Sequence, residues 1–254
     1  MSRSLARGIA AVARALTRAQ KPNRARVTQA LASEALIPRV TVATAAGPIL
    51  LDCPTSRSLH DPHGFGRDEP ETVAWIMSLP EGTVLWDIGA NIGLYALLAA
   101  RRGLRVLAFE PSAASFAALM RNIEINGFGD RVSVFCVALD ERTHLATLSM
   151  AATGAGHSMH SLDGGSAVAF RQTIPAFAMD DIARAFGLPL PDAIKLDVDG
   201  IEPAILRGGG QALAHAREVL VEVEGTNEDA VPPLLAGLGF RQEPGTGRNR
   251  VFRR

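Results

Sequence analysis

A chain of 254 residues, 47% hydrophobic and 20% charged, has enough apolar side chain for one α/β domain with a sizeable core and a short extension. Its 26 basic and 26 acidic residues cancel, so no global positive field gathers nucleic acid, and no nucleic-acid partner is expected. Cys53 and Cys136 form neither a Cys-x-x-Cys motif nor a disulfide framework, which fits reduced thiols in a cytoplasmic protein; no apolar run reaches the roughly 18 residues of a membrane span.

Residues 3–19 predict an amphipathic helix. Leu5, Ile9, Val12 and Leu16 share one face, and Arg3, Arg7, Arg14 and Arg18 share the opposite one. Such a helix can lie on an anionic membrane surface, or pack its stripe on its own domain or on a second subunit. Packing, including a homodimer through this helix, is the preferred expectation, because membrane helices usually carry bulkier apolar anchors. No secretory signal pattern is present. Residues 38–53 read as a β-hairpin turning at Gly47-Pro48. Residues 54–68 read as loop, and His60-x-x-His63 within them is a weak metal pair for which a solvated position is the plainer reading. A helix then begins near Glu69-Pro70-Glu71. Residues 1–82 are thus expected to precede a second region, 83–254.

Residues 84–95 read Val-Leu-Trp-Asp-Ile-Gly-Ala-Asn-Ile-Gly-Leu-Tyr. The order is a buried strand carrying Asp87, a tight turn over Gly89, Ala90, Asn91 and Gly93, and an apolar helix. Glycine lacks a Cβ, so the backbone can turn through φ > 0 and a ligand can lie against it. Free N–H groups at the helix start are expected to face that ligand, at the carboxyl end of a parallel strand. A dinucleotide fingerprint is G-x-G-x-x-G, whereas the order here is D-x-G-x-N-x-G. An acid ahead of the turn disfavours a pyrophosphate.

Residues 105–109 form a second strand ending at Glu110-Pro111, 23 residues beyond Asp87. An acid at that spacing is placed to accept both ribose hydroxyls of a nucleoside, a task for which a carboxylate is suited as an acceptor-only group. A third strand over 131–137 leads to Ala138-Leu139-Asp140. Residues 143–175 read as irregular strands and turns, including a strand from Ala167, and connections of that length often serve as lids. His157 and His160 fall there; a catalytic base is one reading and an exposed loop histidine the plainer one. A short helix ends at Gly187, and a fourth strand, 193–196, delivers Lys195, Asp197, Asp199 and Glu202. A fifth strand, 219–223, carries Glu222, and residues 239–252 close the chain as an antiparallel hairpin turning at 245–247. The alternation of strands and helices from 83 to 224 predicts a doubly wound α/β sheet.

Asp-Ile-Gly-Ala-Asn-Ile-Gly at 87–93, Glu110, and Lys195-Leu-Asp-Val-Asp-Gly-Ile-Glu at 195–202 together resemble the FkbM-type family of class I S-adenosylmethionine-dependent methyltransferases. The resemblance runs from about Phe65 to Phe252, with Asp199 where glutamate is more usual and Ala178-Met179 in place of threonine-leucine. It implies a Rossmann-like, mostly parallel seven-stranded sheet. It also implies S-adenosylmethionine as cofactor and O-methylation of a hydroxyl on a sugar, polyketide, glycan or related small metabolite. On this reading Glu110, followed by Pro111, takes the ribose, and Ala138 and Leu139 flank the adenine. Gly89, Ala90, Asn91 and Gly93 make room for the carboxylate and the ribose–methionine bend. Asp87 orients the turn or binds the ammonium through water. Asp197 is the first candidate base and His157 the second, while Lys195 is expected to hold Asp197 itself or a neighbouring carboxylate such as Glu222. A divalent cation on Asp197, Asp199 and Glu222 is an alternative, but is not favoured. Two rivals differ in class: a nicotinamide-dependent oxidoreductase, disfavoured by the glycine spacing and by Tyr95 being the only tyrosine, and a non-catalytic Rossmann-like binding protein.

Overall fold

A computed structural model describes residues 2–157, 160–162, 164, 168–245 and 247–254, which form two compact units, 1–39 and 40–254. The boundary expected at 82/83 does not coincide with a break between compact units. Among the described residues no helix is long and apolar enough to cross a membrane.

The first unit holds helices α1 (Ser2–Thr17) and α2 (Pro22–Ala35). α1 follows the expected pattern, but its apolar stripe is exposed. The sequence reading missed α2, where alanines outnumber the larger apolar side chains and blur the helical period. Pro22 at its first turn needs no N–H there. Gln29 Nε2 donates to Thr17 Oγ1 at 2.7 Å, and Thr28 Oγ1 donates to Gln20 Oε1 at 3.1 Å.

The second unit opens with β1 (Arg39–Val42) and β2 (Ile49–Asp52), paired as a two-stranded sheet. The expected loop over 54–68 contains a short helix, α3 (His60–Gly64), and is followed by α4 (Pro70–Ser78). Then come β3 (Val84–Ile88), α5 (Leu94–Arg101), β4 (Arg105–Phe109), α6 (Ala113–Asn126) and β5 (Val132–Phe135). β6 (Ala138–Leu139), β7 (His144–Met150), β8 (Ser161–Leu162), β9 (Phe170–Phe177) and α7 (Met179–Phe186) follow. The chain ends with β10 (Ala193–Leu196), α8 (Glu202–Arg207), α9 (Gly210–His215), β11 (Glu218–Glu222), α10 (Val231–Gly237), β12 (Arg241–Gln242) and β13 (Asn249–Arg253).

The main sheet has seven strands in the order β12-β13-β11-β10-β3-β4-β5, and β13 runs against both its neighbours. β3 runs parallel to β10 on one side and to β4 on the other. The chain first extends the sheet towards β5 and then returns to lay β10 and β11 on the opposite side of β3. That reversal opens a crevice at the carboxyl ends of β3 and β10. Both sheet faces are covered, so the central strands are buried and mostly apolar rather than alternating, with Asp87 in β3 and Lys195 in β10 as the charged exceptions. Leu85, Val106, Leu97 and Leu119 pack on one face with Ile49 and Leu51 of β2. Trp86, Leu107, Phe109, Ile194 and Val219 pack on the other with α7 and α8. β2 is also clamped to α6: Asp52 N–H donates to Asn122 Oδ1 at 2.7 Å, and Leu50 N–H donates to Asn126 Oδ1 at 2.9 Å.

Residues 143–175 hold the two strands expected there, β7 and β9, which join a second sheet in the order β6-β9-β7-β8 that the sequence reading did not anticipate. β7 and β9 pair antiparallel over seven residues, from His144↔Ala176 to Met150↔Phe170. The inward side chains Ala146, Leu148, Met150, Ile174 and Ala176 give this sheet a core of its own. The strand expected from Ala167 begins at Phe170; Ala167 lies outside the described residues, as does Thr246 in the expected 245–247 turn.

Candidate functional site

The crevice at the strand tips is a cavity of about 310 Å³, and the glycine turn forms its floor. Gly89 (φ +84°) and Gly93 (φ +95°) occupy the left-handed region, where glycine alone is unstrained; Asn91 joins them at φ +50°. The missing Cβ of Gly89 makes room for the protein rather than for a ligand: a Cβ there would stand 2.0 Å from the Asp197 carbonyl oxygen. The N–H groups of the turn are also spent within the chain. Those of Gly89 and Ala90 donate to the Phe109 carbonyl at 3.0 and 3.1 Å, that of Gly93 to the Ala90 carbonyl at 2.9 Å, and that of Asn91 to Glu110 Oε2 at 2.8 Å. The engaged donors are those of the turn itself; the expectation of free N–H groups concerned the start of α5, which begins at Leu94. A pyrophosphate cradle needs backbone donors aimed at the ligand, and those of the turn are engaged.

Glu110 sits at the tip of β4 with both oxygens fixed, Oε2 by Asn91 N–H and Oε1 by Ser112 N–H, each at 2.8 Å. It is 6% exposed and lines the cavity. Burial pushes its carboxyl up to about 7, against the lowering effect of the Ser112 and Asn91 N–H groups. Each oxygen keeps acceptor capacity beyond its backbone bond. Pro111, Ala138 and Leu139 border the same cavity, with Leu148 and Leu162 of the second sheet beside them. The four-stranded sheet thus supplies an apolar wall that the sequence reading gave only to its first two residues.

Across from Glu110 runs a chain of charged groups. Lys195, fully buried in β10, donates from Nζ to Asp197 Oδ2 at 2.7 Å and stands 3.8 Å from Asp87 Oδ1. The register that sets Lys195 opposite Asp87 is fixed by the parallel pairing of β10 with β3. Among the described residues neither Asp87 oxygen has a hydrogen-bond partner, although Asp87 is 1% exposed. Burial raises the Asp87 carboxyl despite the nearby lysine charge. Burial opposes the charge of Asp197 as well, but the Lys195 charge and hydrogen bonds from Lys195 and Glu222 outweigh it and hold Asp197 below the usual carboxylate range. Glu222, hydrogen-bonded to Asp197, is pushed up to about 8 by burial and then by that neighbouring carboxylate. The pair is therefore one ionised and one protonated carboxyl at neutral pH. Arg248 Nη1 closes on Glu222 Oε1 at 3.0 Å, and its Nη2 reaches Glu69 Oε1 at 3.3 Å. Tyr95, hydrogen-bonded to Glu69, completes the run, and its ring lies 5.3 Å from Lys195 Nζ.

Two segments roof the cavity. From α3 come His60 and Asp61, where Asp61 Oδ2 accepts from Asn91 Nδ2 at 3.4 Å. The second is the stretch before β8, docked on the first: Thr55 Oγ1 donates to the Ala155 carbonyl at 2.6 Å, and a Cβ on Gly156 would stand 2.6 Å from Ser58 Cα. His157 and His160 both border the cavity, in place of the exposed loop positions expected for them. His160 N–H donates to Asp199 Oδ2 at 3.1 Å. Burial holds its imidazole below the usual range against the Asp199 charge, so the ring is neutral at neutral pH. Glu202 does not face the cavity. It accepts from Val198 and Gly200 N–H at 3.3 Å and from Asn227 Nδ2 at 2.8 Å, fixing the turn that carries Asp197 and Asp199.

Every site residue expected from the sequence borders this one cavity except Gly93, which turns the chain into α5 beneath it. The sequence reading missed Asp61, Tyr95 and Arg248 as cavity residues. Each arrives from an element whose own pattern reports only a loop, a helix start or a hairpin, so no local signal marks it. Among the described residues no group of three or more His, Cys, Asp or Glu is arranged to hold a metal ion.

Residues 87–241 match the family model described as the methyltransferase FkbM domain. The hexuronic acid methyltransferase AglP of Haloferax volcanii is 31% identical over 181 residues, covering 67% of this chain and 69% of that protein. The AMB antimetabolite synthetase AmbE of Pseudomonas aeruginosa is 27% identical over 208 residues, covering 64% of this chain but 10% of that protein. The crystal structure of methyltransferase FkbM from Methylobacillus flagellatus KT shares the fold, with a TM-score of 0.52 at 19% identity, covering 72% of this chain and 46% of that one.

Proposed function

The chain belongs to the FkbM methyltransferase family, and on that footing we propose that it methylates a hydroxyl of a sugar or related small molecule using S-adenosylmethionine. One observation carries the cofactor reading: the N–H groups of Gly89, Ala90, Asn91 and Gly93 are engaged by Phe109, Glu110 and Ala90, while among the described residues the buried carboxyl oxygens of Asp87 have no hydrogen-bond partner. A site of that kind rejects phosphate and receives cationic and hydroxyl donors. The whole cavity agrees, since eight carboxylates line it against Lys195, Arg57 and Arg248.

Glu110 accepts the ribose hydroxyls, and Pro111, Ala138 and Leu139 flank the adenine. Asp87 faces the ammonium, and the turn from Gly89 through Ala90 and Asn91 to Gly93 shapes the bend of the methionine portion. When bound, S-adenosylmethionine supplies an electrophilic methyl group on a sulfonium. The acceptor hydroxyl must lose its proton, a contribution of roughly 10²–10⁴-fold. Asp197 is the first candidate to take or orient that proton, because Lys195 keeps it ionised. His157 is the second, and His160, neutral at the cavity wall, joins them. Alignment of acceptor and donor in this closed space supplies the larger share, of the order of 7–11 kcal/mol. A sugar acceptor is supported by the similarity to a hexuronic acid methyltransferase.

Calorimetry with S-adenosylmethionine and with NAD, run separately, tests the reading. Heat with the first and none with the second is expected. Binding of NAD without binding of S-adenosylmethionine overturns it in favour of an oxidoreductase, and heat with neither favours a non-catalytic protein on the same sheet.

A further inference from the structure

The neutral total charge conceals a strong asymmetry. Residues 1–39 carry eight basic side chains and one acidic one, Glu34; residues 40–254 carry the remaining eighteen basic and twenty-five acidic ones. The same short unit holds eight of the twelve exposed large hydrophobic side chains among the described residues. In α1 these are Leu5, Ile9, Val12 and Leu16, between 50% and 76% exposed. In α2 they are Val27 and Leu31. What the two helices turn inward is small or polar: Ala13, Thr17, Gln20, Ala25, Thr28 and Ala32. The hairpin therefore gains almost nothing from apolar burial, and its aliphatic side chains face outward.

An occupant has to offer two things at once, an apolar medium for the stripe and negative charge for the arginines. On α1 the stripe and the triplet Arg3, Arg7, Arg14 lie on opposite poles of a helix about 10–12 Å across. An amphipathic helix settles about 5–10 Å into the boundary between headgroups and acyl chains. At that depth the stripe meets acyl chain and the arginine pole lies at headgroup level, within one Debye length of the surface charge. A second copy of the chain satisfies only the apolar half, since it brings the same excess of basic side chains towards the first. We propose that residues 1–39 form a docking surface for an anionic lipid membrane, on which the protein sits peripherally. This assignment is independent of the reaction the cavity carries out.

Sedimentation of the full chain with vesicles tests it. Vesicles of phosphatidylcholine with about one-third phosphatidylglycerol pellet the protein, and vesicles of phosphatidylcholine alone do not. Arg3→Glu/Arg7→Glu/Arg14→Glu weakens pelleting at least about a hundredfold, as does Leu5→Asp/Leu16→Asp, and salt near 0.5 M mimics the first variant only in part. An unchanged thermal melt and unchanged S-adenosylmethionine heat in both variants show that residues 40–254 remain folded. Absence of pelleting with anionic vesicles overturns the proposal, as does equal pelleting with neutral ones. A concentration-dependent dimer in analytical ultracentrifugation, abolished by Leu5→Asp/Leu16→Asp while vesicles are ignored, assigns the stripe to a second copy instead.

Discussion

The two sides of the cavity are built by different means. On the Glu110 side the site is local: Asp87, the glycine turn and Glu110 lie within 24 residues, and backbone hydrogen bonds between adjacent strand tips fix them. On the Asp197 side the groups come from β10, β11, the residue ahead of α4, α5 and the turn before β13, and side-chain charge holds them. Backbone geometry is rigid and cheap to specify in sequence, whereas a charge network depends on every partner being present. The Glu110 side should therefore answer to substitution as a binding surface, and the Asp197 side as a coupled unit.

The largest effect is expected on the coupled side. Asp197→Ala lowers turnover by roughly 10²–10⁴-fold while S-adenosylmethionine binding stays within a few-fold. It also leaves Lys195 with Asp87 alone, so a lower melting temperature accompanies the loss. Normal turnover in this variant sinks the catalytic assignment of Asp197 and shifts attention to His157 and His160. Next in size is Glu110→Ala, which weakens cofactor affinity by about 3 kcal/mol, the worth of one to two hydrogen bonds to a charged acceptor. Calorimetry measures it, and saturating cofactor restores turnover. A loss that saturating cofactor does not restore erases the distinction between the two sides.

How much of this was legible follows the same division. The positions of Asp87, Gly89, Asn91, Gly93 and Glu110 could be read because they depend on strand tips that sequence periodicity locates. The reason for Gly89 could not, since the group its Cβ would strike is the carbonyl of Asp197, more than a hundred residues away. Arg248 and Glu69 lie 179 residues apart in the chain and meet only because β13 inserts antiparallel beside β11. The second sheet was missed for a related reason: β7 and β9 are separated by a tract of Gly, Ser and His with no hairpin-turn spacing that would signal their pairing. The hairpin of α1 and α2 was half legible. The stripe on α1 has the helical period, but periodicity does not tell whether an apolar face is covered.

A third effect, of about tenfold, comes from pH. The Glu110 carboxyl titrates at about 7, raised by burial. Above that value it is an anion that accepts hydroxyl donors on both oxygens; below it one oxygen carries a proton and loses that capacity. S-adenosylmethionine affinity should thus hold steady above pH 7 and fall as pH drops, by close to tenfold per unit below the titration. Glu110→Gln removes the dependence. An affinity that is flat between pH 8 and about 5.5 denies Glu110 a place on the cofactor.

The smallest effect separates the members of the coupled side. Arg248 is half-exposed and bridges Glu222 and Glu69, whereas Lys195 is buried against Asp197. Lys195 outranks Arg248 among the influences that keep Asp197 ionised, so Arg248→Met leaves Asp197 an anion and lowers turnover by less than about tenfold. Glu222 responds differently, because the guanidinium is what restrains its rise to about 8. Removing that charge moves the Glu222 titration to still higher pH, observable by carbon NMR of labelled glutamate side chains. A shift downward contradicts the part assigned to the guanidinium, for this variant takes away the positive charge that restrains the Glu222 titration.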